Sequence, residues 1–317
     1  MYDVKVFMAQ TSLGPSVYGD LFTKDQGETD IAVYVDTAAG HAPGHNSKYK
    51  IALLIEPTPV MWPVYEWVYQ NHSYFDLIMT HNKQLASTPS DKFVYYPIWP
   101  KIWIPKEDRK IYDKSKMTSA IFSAQNNTQG HRLRHEIVNA LQGSELMDLY
   151  GRAYNPIETK TEGLADYRYH IVVENEEGGY ASEKVNDAFC CGSIPIYWGN
   201  EDSNIHDYYN TEGVMFFQTI DELKDILTNV VSEEHYNSKL DAVEENYNLA
   251  KDLTLDHIYW NYGIKQFAEG KGLIDNPSRL PEKLMGLPLR DITKFNKERK
   301  EEIEEDKRYK QPKPGLY

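Results

Sequence analysis

The chain has 317 residues, enough for one large domain or for two domains of ordinary size. Its formal net charge is −14, which disfavours a general nucleic-acid-binding protein but permits a local basic cleft for a small anion.

Five apolar segments in the first part of the chain are strand candidates, because they are rich in β-branched and aromatic residues. They are VKVFMA (4–9), DIAVYVD (30–36), YKIALLIE (49–56), FDLIMTH (75–81) and KFVYYPIW (92–99). Such continuous apolar runs are typical of a parallel sheet covered on both faces. One helix is predicted around Val64–Gln70, and the Pro- and Lys-rich segment 99–116 predicts a domain boundary.

After this boundary, strands and helices alternate again. TSAIFSA (118–124) and LMDLYG (146–151) are predicted strands, and HRLRHEIVNALQG (131–143) is a predicted helix with Arg132 and Arg134 in its first turn. Further helices are predicted at 220–231, 238–254 and 256–268. From about Arg290 the chain is nearly all charged, as in a solvated helix that ends in a disordered tip.

The stretch YHIVVENEEGGYASEKVNDAFCCGSIPIYWG (169–199) reads as strand, glycine loop, helix and strand. Ser182 is placed to cap a helix that begins near Glu183, and Gly192 is placed to end it. A helix N-terminus after a glycine loop offers N–H groups to an anion, and Lys184 adds a positive charge there. An ordinary βαβ unit with a solvated acidic loop is the alternative.

The particular residues of this stretch favour an anion-binding site over an ordinary βαβ unit. V-E-N-x(4)-Y-A-S-E-K, followed by A-F-x-x-G-x-I-P-I-Y-W-G, closely resembles the donor-binding motif of the α-1,3/1,4-fucosyltransferases, glycosyltransferase family 10. Val173 stands where the family often has Phe, and Ser182 replaces the usual Thr but keeps the hydroxyl. The loop between Asn175 and Tyr180 is short.

The resemblance implies an α/β fold with two Rossmann-like domains facing each other across a cleft, the GT-B arrangement. Residues 1–110 would bind the acceptor and residues 111–280 would bind the nucleotide sugar. Residues 281–317 lie outside the resemblance and are predicted from their composition to form a charged tail. The donor would be GDP-fucose and the acceptor a hydroxyl of a glycan, with inversion at the anomeric carbon. No cofactor and no metal would be required, and no D-x-D motif follows a predicted strand.

The resemblance also implies roles for individual residues. Arg134 would hold the donor diphosphate, with Arg132 as the alternative, and Glu56 would be the general base, with the strand-end residues Asp36 and His81 as alternatives. Each of these also fits an ordinary structural role. The remaining expected donor-binding residues are Asn126, Glu174, Asn175, Tyr180, Glu183 and Lys184.

Cys190 and Cys191 are adjacent in a predicted helix, so they are read as small buried residues of a protein in a reducing compartment. No signal peptide and no membrane-spanning run is visible, which predicts a cytoplasmic, bacterial or viral protein. Membrane contact through the tail is a minority hypothesis. Three rival functions stay open: transfer from another nucleotide sugar, transfer to a modified nucleobase, and glycan binding without catalysis.

Overall fold

The computed structural model describes residues 4–8, 31–95, 102–177, 181–199, 205–253 and 267. The chain forms two compact units. One unit contains Met1–Pro97 together with Thr254–Tyr317, and the other is the continuous stretch Ile98–Leu253. Each unit has a five-stranded parallel sheet of its own.

The sheet of the first unit contains the five predicted strands, side by side in chain order. They are β1 (Val4–Met8), β2 (Ile31–Val35), β3 (Tyr49–Leu54), β4 (Leu77–Thr80) and β5 (Phe93–Tyr95). Val35 of β2 is paired with Leu53 of β3, and Leu54 is paired with Thr80 of β4. The chain therefore leaves these three neighbouring strands at one edge of the sheet, where Asp36, Glu56 and His81 follow.

Helix α1 (Thr58–Gln70) begins six residues before the predicted start at Val64. Pro59 lies in its first turn, where the missing N–H costs nothing. The backbone departs from helical geometry at Met61 (φ −125°, ψ 26°), two residues before Pro63, so the helix is kinked there. A 3₁₀ segment, Asp36–Gly44, precedes α1, and a second one, His72–Tyr74, follows it together with α2 (Lys83–Ala86).

The second unit has the strand order β10-β9-β8-β6-β7, all parallel. Its strands are β6 (Lys116–Ile121), β7 (Asp148–Tyr150), β8 (Tyr167–Val172), β9 (Ile194–Trp198) and β10 (Met215–Phe217). From β6 the chain first moves to one side, to β7, and then returns to the other side, to β8. The order reverses between β6 and β8, and this is the topological switch point at which doubly wound sheets bind ligands.

The helices of the second unit are α3 (Gln129–Leu141), α4 (Glu183–Cys190), α5 (Ile205–Tyr208), α6 (Ile220–Asp225), α7 (Glu233–Ser238) and α8 (Leu240–Ala250). Helix α3 begins two residues before the predicted start, because Thr128 caps it by accepting the His131 N–H at 3.2 Å. Arg134 therefore lies in the second turn, and its predicted place in the first turn was wrong. The predicted helix 220–231 continues past α6 as a π turn, Ile226–Val230.

Helix α4 has the capping predicted from its sequence. The Ser182 side chain accepts from the Lys184 N–H at its start. At its end Gly192 has φ +71°, its N–H donates to Phe189, and the Ser193 N–H donates to Ala188. These two bonds form a Schellman motif, in which glycine adopts the left-handed conformation without a Cβ penalty.

The predicted fold class, α/β with two Rossmann-like domains, is confirmed; the cleft between the domains stays a prediction. The second unit begins at Ile98, whereas the predicted division falls between residues 110 and 111. Asp187 of α4 accepts the N–H groups of Trp103 and Ile104 at 2.7 and 3.3 Å, which attaches this segment to the second unit.

Some predictions fall outside the described residues. These are the charged tail and the predicted helix 256–268, of which Phe267 alone is described. Across the described part of the chain, the helices are too short or too polar to span a bilayer.

Candidate functional site

A cavity of about 600 Å³ opens at the switch point of the second sheet. Its walls are the loops that follow β6, β7 and β8 and the N-terminal halves of α3 and α4. Seven charged side chains line it: Arg134, Arg152, Glu158, Lys160, Glu183, Lys184 and Asp187. Because a doubly wound sheet binds ligands in this crevice, the cavity is the candidate site.

Arg134 is anchored at the end of β8 and is 5% exposed. Its Nε and one Nη donate to the Val173 carbonyl at 3.2 and 2.5 Å, and the same Nη donates to Asn175 Oδ1 at 2.8 Å. These bonds fix the guanidinium plane beside the cavity, where an Arg fork suits phosphate oxygens. Arg132, the alternative, is exposed and is not among the lining residues.

Gly130 allows α3 to approach the loop after β8. Its N–H donates to the Asn175 carbonyl at 3.1 Å, and a Cβ at this position would lie 1.6 Å from the Glu174 carbonyl oxygen. Only glycine fits this contact. The sequence interpretation missed this residue, which directly precedes the predicted helix at 131–143, although an isolated glycine beside such a segment is a signal of close backbone approach.

Lys184 lies at the start of α4 among three acceptors. Its Nζ donates to Glu174 Oε2 at 3.2 Å, Ser182 Oγ at 2.9 Å and Glu183 Oε1 at 3.3 Å. Glu174 is 1% exposed, and its oxygens also accept the Ser182 N–H and hydroxyl at 2.7 and 2.5 Å. Glu174 therefore supports Lys184 and Ser182, and it is not part of the cavity wall.

Glu183 and Lys184 stabilise each other's charged form. Burial alone would raise the pKa of Glu183, but Lys184 and Lys160 hold it down at about 2. Burial alone would lower the pKa of Lys184, but Glu174 and Glu183 raise it. At neutral pH the cavity thus presents an ammonium group and a carboxylate, a donor for phosphate and an acceptor for hydroxyls.

Lys160 is a further cation that the sequence interpretation missed. It opens a 3₁₀ turn, Lys160–Gly163, lines the cavity, and donates to Asp187 Oδ2 at 2.6 Å. A capping box joins Thr159 and Glu162 in front of it. The first turn of a helix usually carries acidic residues, so a lysine at the start of this 3₁₀ turn was a sequence signal that Lys160 has a role other than stabilising the turn.

Two buried histidines on the cavity wall are held neutral. Burial, followed by the charges of Arg134 and Lys184, lowers the pKa of His131 to about 4. Burial, followed by the charges of Lys160 and Lys114, lowers the pKa of His170 to about 3. Both imidazoles are therefore neutral at pH 7, mainly because burial disfavours their charged form, and the neighbouring cations add to this effect.

In the first unit the three candidates for a base lie at the same sheet edge. Asp36 Oδ1 accepts the Glu56 N–H at 3.3 Å, and the Glu56 carbonyl lies 3.3 Å from His81 Nε2. Burial raises the pKa of Asp36 to about 7 and lowers that of His81 to about 4. Glu56 is partly exposed, whereas Asp36 and His81 are buried.

Three of the predicted donor-binding residues, Glu174, Asn126 and Tyr180, are not on the cavity wall or are not described. Asn126 is exposed and is not among the lining residues, although its neighbour Gln125 is. Tyr180, with Gly178 and Gly179, lies outside the described residues. Among the residues that are described, no group of three or more His, Cys, Asp or Glu is arranged to hold a metal ion.

Residues 111–257 match the model of the glycosyltransferase family 10 (fucosyltransferase) C-terminal domain. The second unit is similar to the C-terminal domain of this family. This agrees with the resemblance carried by residues 173–199.

One curated relative is the α-(1,3)-fucosyltransferase FucT of Helicobacter pylori, 35% identical over 104 residues. The match covers 29% of this chain and 19% of the relative, so the chain matches about a fifth of that protein's length. Among solved structures, an α1,3-fucosyltransferase with GDP has a TM-score of 0.48 at 16% identity, with 77% of this chain and 82% of that chain covered. TarM has a TM-score of 0.46 at 9% identity, with 77% and 54% covered.

Proposed function

We propose that this chain is an inverting glycosyltransferase that transfers fucose from GDP-fucose to a hydroxyl group of a glycan. The observation that carries the proposal is the group of four cations around a cavity at the switch point of a domain similar to family 10, namely Arg134, Arg152, Lys160 and Lys184. The curated relative is an α-(1,3)-fucosyltransferase, and one similar structure contains GDP.

The cavity suits the diphosphate of the donor. Arg134 and Lys184 face the place where its oxygens would bind, and Lys160 adds a third cation, so negative charge that develops on the leaving group is stabilised without a metal ion. Glu183, ionised at neutral pH, accepts from ribose or sugar hydroxyls, and Asn175 offers an amide. Tyr180 is proposed to pack near the nucleotide.

In the reaction, the acceptor hydroxyl attacks the anomeric carbon, and the bond between that carbon and the phosphate oxygen breaks. GDP leaves with the electron pair of that bond. Glu56 takes the proton of the hydroxyl as it attacks. Because the attack comes from the face opposite the leaving group, the anomeric configuration inverts.

A thermal-shift titration with GDP, GDP-fucose, GDP-mannose, UDP, UDP-glucose, UDP-N-acetylglucosamine and CMP tests the donor. A ligand that binds the folded state alone raises the melting temperature with its occupancy. Stabilisation by GDP and GDP-fucose supports the proposal. Stabilisation by a uridine or cytidine ligand alone would replace the donor and leave another nucleotide-sugar transferase as the function.

A transfer assay tests the reaction. The wild-type protein is incubated with GDP-fucose and a glycan array, and with nucleobase acceptors in parallel. The products are identified by mass spectrometry. We expect transfer to a glycan, and we expect Glu56→Gln to lower its rate about 100- to 10,000-fold, to a small residual rate, while GDP still binds. Transfer to a nucleobase acceptor, or binding of glycans without turnover, would instead support one of the rival functions.

A further inference from the structure

Asp36 binds the N–H side of the Glu56 backbone. Its Oδ1 accepts the N–H of Ile55 at 2.8 Å and that of Glu56 at 3.3 Å. Asp36 follows β2, and the residues it binds follow the neighbouring strand β3. A buried carboxylate of one strand end thus holds the chain as it leaves the next.

The carbonyl side of Glu56 is held from two other elements. Tyr65 of α1 donates its hydroxyl to the Glu56 carbonyl at 2.9 Å, and His81, after β4, brings Nε2 to 3.3 Å from the same oxygen. The Tyr65 oxygen is 3.0 Å from His81 Nε2. Since a carbonyl can only accept, Nε2 carries the hydrogen and shares it between the two oxygens.

This arrangement is costly for the fold. Asp36, Tyr65 and His81 are 9%, 4% and 8% exposed, so a carboxyl, a phenol and an imidazole are all withdrawn from water. The Asp36 backbone also has φ +47°, a left-handed conformation that side-chain-bearing residues adopt at an energetic cost. Three elements therefore contribute buried polar groups to the backbone around a single partly exposed carboxylate residue.

We propose that Asp36, Tyr65 and His81 are positioning residues that clamp the backbone of Glu56 and so fix its carboxylate toward the acceptor hydroxyl. The inference rests on the proposed function, in which Glu56 is the base. It gives Asp36 and His81, the alternative bases of the sequence interpretation, a role that acts through Glu56. Placement of a base within fractions of an ångström contributes directly to the chemical step.

Kinetics of paired variants test the clamp. Tyr65→Phe removes one hydroxyl and keeps the buried ring, Asp36→Ala removes both acceptor bonds, and Asp36→Asn keeps an acceptor oxygen in the same place. We expect kcat to fall about 3- to 10-fold for Tyr65→Phe and at least 30-fold for Asp36→Ala, with recovery in Asp36→Asn. The KM for GDP-fucose and the Kd for GDP should stay unchanged, and Tyr69→Phe, an exposed tyrosine of the same helix, is the matched control.

Each variant is also made in the Glu56→Gln background. If the clamp acts through the Glu56 side chain, Asp36→Ala and Tyr65→Phe lower residual transfer no further there, because the interaction they support is already lost. A merely structural role would lower transfer by the same factor in both backgrounds, and this result would overturn the inference while leaving Glu56 as the base. Wild-type kcat in Glu56→Gln alone would instead overturn the base assignment of the proposed function.

Hydrogen exchange of the Ile55 and Glu56 amides provides a readout independent of transfer. The two amides should exchange faster in Asp36→Ala and return to the wild-type rate in Asp36→Asn, while amides in the interior of β3 keep their protection. Unchanged exchange of both amides in a folded Asp36→Ala protein would overturn the clamp whatever the transfer assay shows.

Discussion

Gly130→Ala should separate α3 from the loop after β8 and so dismantle the proposed phosphate site from a distance. The new Cβ would lie 1.6 Å from the Glu174 carbonyl oxygen, and contacts under 3.0 Å are essentially never seen, so the two backbones must separate by about 1.4 Å. A shift of that size would stretch the bond from Arg134 to Asn175 from 2.8 Å to about 4 Å, which is beyond hydrogen-bonding distance.

The expected loss follows from these contacts. Overpacking of this kind costs about 1–3 kcal/mol, and the guanidinium bonds that lengthen are charge-assisted. We expect the melting temperature to fall by about 2–12 °C, since 1 kcal/mol is about 2–4 °C in a domain of this size. We also expect at least about 10-fold weaker GDP binding by calorimetry, because Arg134 no longer holds its place.

Gly40→Ala is the matched control, because a Cβ there meets no atom within 4 Å. It should leave both the melting temperature and the GDP affinity close to the wild-type values. If Gly130→Ala also kept the wild-type GDP affinity, the approach of α3 to the loop would not determine the position of Arg134, and the reasoning would be refuted.

Three further predictions concern charge. Lys184→Ala should weaken GDP binding about 10- to 100-fold in calorimetry, because a charge-assisted bond to phosphate is lost. Lys116→Ala should not weaken it, because Lys116 lies at the start of β6, at the end of the strands opposite the cavity. Burial raises the pKa of Asp36 from 3.8 to about 7, so the folded protein retains a proton that the unfolded chain releases in this window. The contribution of Asp36 to the free energy of unfolding therefore falls as pH rises from about 4 to 7. In urea unfolding, the free energy of unfolding of Asp36→Asn should rise relative to that of the wild type over this pH range. Binding of the GDP diphosphate should raise the depressed pKa of His131, so calorimetry in two buffers near pH 6 should detect proton uptake that His131→Asn abolishes and His135→Asn retains.

The contrary outcomes are equally specific. Unchanged GDP affinity in Lys184→Ala would remove that lysine from the phosphate site. A constant stability difference between Asp36→Asn and the wild type from pH 4 to 7 would show that Asp36 ionises normally. Equal binding heats in the two buffers, after correction for dilution, would show that His131 stays neutral in the complex.

The sequence predicted β1 to β9, because each is a short apolar run bounded by polar residues, but it did not predict β10 (Met215–Phe217). The start of α4 and its end at Gly192 were also predicted, since capping depends on local chemistry that Ser182 and Gly192 display directly. Arg134 was preferred over Arg132 by the resemblance, and its burial beside the cavity is consistent with that choice.

The rest depended on contacts between residues far apart in the chain. Lys160 joins the cavity through Asp187, 27 residues later, and Tyr65 reaches Glu56 across the turn into α1. Local patterns carry no information about such pairings. Local patterns also did not predict the contacts of Glu174. Its motif position suggested contact with the ligand, whereas in the structure it accepts hydrogen bonds from Ser182 and Lys184.

The division of the chain has a consequence for how the protein is made. The second unit is one uninterrupted stretch, Ile98–Leu253, whereas the first is assembled from segments on either side of it. During synthesis from the N-terminus, the whole second unit is synthesised before the residues from Thr254 onward are added. The second unit, for which we propose nucleotide binding, can therefore fold while the first unit is still incomplete.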